Sequence, residues 1–146
     1  MLGLWSVVRF VHVLGAVIWL GGQLTISALV LPVARRRLEA ADRAALMRTL
    51  GMRFGVATVT VLIPLQVATG IALAAHKGVT WSGLAQPGYG RTLAGKLVAF
   101  VLVMLAAGLH GWATSAGRTV VARALAVSSL LGSFVVVLLA TALPVS

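Results

Sequence analysis

Four stretches without a single Lys, Arg, Asp or Glu dictate what this chain can fold into: residues 10–34, 54–76, 97–117 and 124–146. The shortest is 21 residues long, and about 20 apolar residues are enough for an α-helix to cross a bilayer core. In hydrocarbon every backbone N–H and C=O must be satisfied inside the protein, so runs of this length are helices. The sequence therefore predicts an all-α, four-transmembrane-helix bundle. It forms one membrane domain over residues 1–146, with spans at about 4–34, 54–76, 93–115 and 124–145.

Composition excludes a water-soluble domain, with 60% hydrophobic and only 10% charged residues. The net charge of +10 does not point to nucleic acid. The basic residues sit at the ends of apolar runs and lack the aromatic platforms on which bases stack. They anchor and orient the chain instead. With no cysteine, disulfides, thiolate metal sites and thiol nucleophiles drop out. No basic segment precedes the first apolar run, which continues to Ala34, so residues 4–34 read as a retained span rather than a signal peptide.

Orientation follows from the arginines and lysines. Arg35, Arg36, Arg37, Arg43, Arg48 and Arg53 follow span one, and Arg118 and Arg123 follow span three. Only Arg9, Lys77, Arg91 and Lys96 lie on the other side. This bias places the first and third loops in the cytoplasm and both termini outside. Arg35–Met52 combines good helix formers with the chain's only acids, Glu39 and Asp42, and reads as a short amphipathic helix at the inner headgroups. Residues 78–92 carry Gly83, Pro87, Gly88 and Gly90 and read as an irregular cap, with Trp81 and Tyr89 at interfacial depth. In span four, Ser128/Gly132 and Ser129/Ser133 repeat at four-residue spacing and permit close helix approach, within one chain or in a homodimer. Pro64 marks a kink in span two, with Gln66, Thr69 and Gly70 on one face after it.

Polar residues within spans are costly and are the first place to look for function. At 100° per residue, Trp19 falls about 20° from His12 and Gly22 about 80°, while Arg9 and Gly15 flank it at about 60°. One face of span one thus presents a cation, an imidazole, two glycines and an indole. Glycines there can clear room for a flat group such as a macrocycle, with His12 as axial ligand and Arg9 near its propionates. The competing reading is that His12 hydrogen-bonds another helix and the glycines only pack helices. In span three, Lys96 and His110 share a face but stand 14 residues apart, about 21 Å along the axis. One haem iron cannot then reach both His12 and His110. An outer-leaflet site of His12, Lys96 and His76 is consistent in depth, with Lys96 pairing a propionate or a quinone oxygen, or snorkelling to the headgroups. His110 and Gln66 are also readable as interhelical hydrogen-bonding groups. Copper is the other cofactor to weigh, with His12, His76 and His110 as candidate metal ligands. Cu(I) prefers thiolates and thioethers, whereas the four methionines form no cluster. Both acids lie in one loop and no nucleophile motif is present, so hydrolytic catalysis finds no support.

The pattern His12-x2-Gly15-x3-Trp19-x-Gly21-Gly22, followed by Leu31-Pro32 and Arg35–Arg37, resembles the first helix of the copper-resistance protein D (CopD) family. Arg53-Phe54, Thr69-Gly70 and Tyr89-Gly90-Arg91-x2-Ala94-Gly95-Lys96-Leu97, leading to His110, fit the same pattern. A related resemblance is to HemJ-type protoporphyrinogen oxidase, a small haem-b membrane enzyme with a comparable His on its first helix and Lys and His on its third. Leu31-Pro32-Val33-Ala34 stands where the HemJ pattern closes that helix with a Pro-Arg and a second His, so the small CopD-like class is the nearer likeness. The resemblance implies b-type haem held by His12 with Lys96 nearby. The role implied is electron transfer with quinone or another redox partner, redox homeostasis, or a haem-dependent membrane oxidoreductase activity. Two alternatives stay open: a copper-handling or transport protein, and a cofactor-free membrane assembly subunit.

Overall fold

A computed structural model describes residues 3–143. All regular structure among these residues is helical. Four helices are long and apolar enough to cross a membrane: α1 (Leu4–Arg37), α2 (Ala40–His76), α3 (Tyr89–Ser115) and α4 (Thr119–Thr141). This matches the four-span reading. The first two helices, however, outrun their uncharged stretches. At 34 and 37 residues they are about 51 and 55 Å long.

The chain divides into two compact units, Met1–Lys77 and Gly78–Ser146. The first is the α1–α2 hairpin. Arg35, Arg36 and Arg37 form the last turn of α1, where cations offset the exposed carbonyl ends of the helix. Leu38 and Glu39 are extended and reverse the chain. Asp42 then occupies the first turn of α2, the end that favours an anion. The segment expected to be amphipathic is helical from Ala40 and runs without a break into the second span. It half-buries Arg43, Leu46, Met47 and Leu50 along one side.

Each helix of this hairpin contains a π-helical turn, Thr25–Val30 in α1 and Thr58–Leu62 in α2. A proline follows each, at Pro32 and Pro64. Proline has no N–H to give the carbonyl four residues back, and its ring crowds that carbonyl. A wider π turn just before the ring accommodates both problems. Pro64, where a kink is expected, is thus preceded by a π turn, and span one repeats the device at Pro32.

In the second unit, Thr80, Ser82 and Gly83 build a 3₁₀ turn over Ser82–Ala85, with the Thr80 hydroxyl accepting from the Gly83 N–H at 3.1 Å. Gly90 is buried against the Gly83 carbonyl, leaving no room for a Cβ. Arg91 ties the same loop to α3, with Nε donating to the Ala85 carbonyl at 3.2 Å. Helices α3 and α4 join through Gly117, whose φ of +68° favours glycine. Their interface buries Val103, Ala113, Ala122, Ser129 and Ser133. Gly132 admits the Val103 side chain, and the Ser133 hydroxyl donates to the Ser129 carbonyl at 2.7 Å. Ser129, Gly132 and Ser133 therefore bring α4 against α3, whereas Ser128 of the same series is exposed. Valines, leucines and phenylalanines such as Phe10, Val17, Leu105 and Leu138 cover the outside, as lipid-facing helices require.

Candidate functional site

Three polar residues meet near the open end of the α1–α2 hairpin, far from its turn. The His12 Nδ1 lies 2.8 Å from the Thr69 hydroxyl. That hydroxyl lies 2.5 Å from the Leu65 carbonyl, one turn back on its own helix. A carbonyl can only accept, so the threonine proton goes to Leu65 and the His12 Nδ1–H donates to threonine. In a neutral imidazole held this way the lone pair is on Nε2, the arrangement that a second hydrogen bond gives to metal-binding histidines. Gly70 sits beside the ring, since a Cβ there would meet His12 Cε1 at 3.3 Å.

One turn along, the Gln66 amide donates to the His12 backbone carbonyl at 2.6 Å. It can do so because residue 15 is glycine: a Cβ there would occupy the position of Gln66 Nε2. Further along, Phe54 fills the space that Gly22 leaves and stacks on Trp19, with ring centroids 5.5 Å apart. The face that sequence reasoning read as room for a macrocycle is thus occupied by protein side chains. Gly15 accommodates Gln66, while Gly22 and Trp19 accommodate Phe54. The imidazole fits a haem or metal ligand; the glycine face does not fit as its cradle.

At one end of the hairpin, the His76 ring stacks on Trp5 with centroids 3.8 Å apart and planes 12° from parallel. Trp5 and His12 are seven residues apart on α1, as are Thr69 and His76 on α2. Each interval is about 10 Å of helix, so His12 and His76 are held about that far apart along the hairpin. The structure does not bring them together, and one copper ion, at about 2 Å from each nitrogen, would not reach both rings as they stand. Arg9 lies one turn before His12 and is exposed.

In the α3–α4 unit, the His110 Nδ1 lies 2.8 Å from the Ala122 backbone carbonyl. It must donate, so this histidine ties α3 to the first turns of α4. Lys96 is half-buried on α3. No group of three or more His, Cys, Asp or Glu side chains able to hold a metal ion occurs among the described residues.

Sequence reasoning had Gln66 and Thr69 on one face but did not pair Thr69 with His12. The signal was available: polar residues three apart on an otherwise apolar helix, opposite a histidine. Thr58 was missed altogether. Its hydroxyl is buried inside the π turn of α2 with no hydrogen-bond partner, and only the burial reveals it. The chain matches no protein-family model, curated protein or solved structure.

Proposed function

We propose that this chain is a CopD-like integral membrane protein that uses His12 as an axial ligand to b-type haem for electron transfer or redox homeostasis. The observation supporting this reading is the Leu65–Thr69–His12 relay, which holds the imidazole by Nδ1 and so, in its neutral form, puts the lone pair on Nε2. Bound haem would supply one-electron chemistry. The chain's own contribution is to hold His12 by Thr69 and to pin the adjoining backbone through Gln66. Because Gln66 and Phe54 occupy the glycine face, His12 rather than that face would hold the group. Arg9, one turn before His12 on α1, is the cation proposed for its propionates. Quinone or another redox partner would exchange electrons with it, in a bacterial inner membrane with both termini outside.

One observation favours a second reading, a cofactor-free assembly subunit. His12, Thr69 and Gln66 all hydrogen-bond across or along the hairpin, so the same contacts serve as helix–helix attachment. Copper handling draws less support, because His12 and His76 are held apart. The experiment is the haem-to-chain ratio of protein purified from haem-replete cells, beside His12→Ala and a metal analysis. Stoichiometric haem that His12→Ala loses supports the proposal. A colourless, metal-free protein supports the assembly reading, and copper without haem supports metal handling.

A further inference from the structure

The turn between α3 and α4 brings one cation onto one indole. Gly117, with a φ of +68°, reverses the chain there. The guanidinium carbon of Arg118 lies over the Trp112 ring, 5.0 Å from its centroid. Arg118 is exposed and Trp112 is 55% exposed, so the contact sits on the outside of the helix pair. The unit that contains it, residues 78–146, has no Asp or Glu and so no carboxylate side chain to neutralise Arg118. Depth follows from α3 itself. Its residues 97–115 carry no charge and extend about 28 Å, close to a hydrocarbon core of about 30 Å. Trp112 is three residues, about 4.5 Å, inside the end of that stretch, where indoles settle at a membrane interface. By lying over Trp112, the Arg118 side chain holds its charge at that same depth.

Leu105 and Leu109 are exposed on α3, and with Trp112 they fall within about 60° of arc. An apolar track about 10 Å long therefore runs from the hydrocarbon to the indole and ends at a cation. A guanidinium seated on an aromatic face keeps its edge N–H groups for other acceptors, and two of them match two oxygens of a phosphate. We infer that Arg118, Trp112, Leu109 and Leu105 form a site for one glycerophospholipid. Its phosphate diester sits on the Arg118 guanidinium, and an acyl chain lies along the two leucines. A net negative headgroup is preferred, because a zwitterionic one brings its own cation to compete for the phosphate. The site lies wholly within the α3–α4 unit and is independent of any cofactor at His12.

The test is native mass spectrometry of the full chain in non-ionic detergent, titrated separately with phosphatidylglycerol, phosphatidylcholine and inorganic phosphate. One phosphatidylglycerol per chain should bind about fivefold more tightly than phosphatidylcholine. Inorganic phosphate should neither bind nor displace it. R118Q should lose most of that preference. W112L, which keeps an apolar side chain but removes the platform, should weaken phosphatidylglycerol binding as well. R123Q removes the same charge five residues farther along the chain and should leave binding unchanged. Circular dichroism checks the fold of each variant, and if R118Q does not fold, the contrast between W112L and R123Q carries the test. Equal binding of the two lipids, displacement by inorganic phosphate, W112L binding like the wild type, or a loss in R123Q as large as in R118Q would overturn the inference.

Discussion

Thr69→Val removes one hydroxyl from between α1 and α2, near the open end of the hairpin, while nearly preserving the side chain's shape. The wild-type hydroxyl makes one contact between helices, accepting from His12 Nδ1 at 2.8 Å, and one within its own helix, donating to Leu65 at 2.5 Å. The second bond is a local back-bond, of the kind that adds little to helix stability. The first joins the helices, and interhelical hydrogen bonds in membranes contribute about 0.6 kcal/mol on average and about 1.7 at most. Thr69→Val should therefore lower the stability of the folded chain by that amount, a factor of about 3 to 16 in the unfolding equilibrium. The effect of the lost Leu65 bond cancels in a double-mutant cycle with His12→Leu. In the His12→Leu background, Thr69→Val should cost almost nothing, leaving a coupling energy of about 0.6–1.7 kcal/mol. Reversible unfolding in mixed detergent micelles, followed by circular dichroism, measures all four proteins. If the two substitutions add to within about 0.3 kcal/mol, Thr69 does not hold His12 and the relay is wrong.

Gly15→Ala should come out close to neutral by the same unfolding assay. It displaces the Gln66 amide from the His12 carbonyl, a loss of about 0.5–1.5 kcal/mol, which the better helix propensity of alanine offsets by about 1 kcal/mol. In a Gln66→Ala background only the gain should remain, so Gly15→Ala should then stabilise. Gly90→Ala has no such escape, because its Cβ meets the backbone carbonyl of Gly83 rather than the tip of a side chain. It should cost about 1–3 kcal/mol, read as a lower midpoint together with faster proteolysis in the loop before α3. His110→Phe should destabilise the α3–α4 unit by about 0.6–1.7 kcal/mol through the lost bond to the Ala122 carbonyl, with no change in any haem content.

The four spans were legible because a charge in hydrocarbon is costly, so the absence of charge marks the membrane directly. Charge is a poorer guide to where a helix ends. Arg35–Arg37 and Ala40–Arg53 are helical although polar, because outside the hydrocarbon a helix can simply continue into the headgroups. Pro32 and Pro64 announced a local disturbance, but their accommodation by π turns depends on backbone relaxation that no residue type encodes. The candidate site was half-legible. His12 stood out as a polar residue in an apolar run, and Gln66 and Thr69 shared a face. The glycines misled because a glycine reports that a side chain is missing, not what fills its place. At Gly15 the filler is Gln66 and at Gly22 it is Phe54, each distant in sequence. Thr58 gave no sequence signal, since threonines occur on both lipid-facing and buried faces of these helices, as exposed Thr60 nearby illustrates.

The central claim is that His12, oriented by Thr69, ligates haem. A reduced-minus-oxidised optical spectrum of the purified wild-type protein, beside His12→Ala and His110→Ala, tests it most directly. A Soret band with a b-type α-band that disappears in His12→Ala and persists in His110→Ala is the predicted result. No Soret band in protein made with ample haem, or a band that survives His12→Ala unchanged, would contradict it.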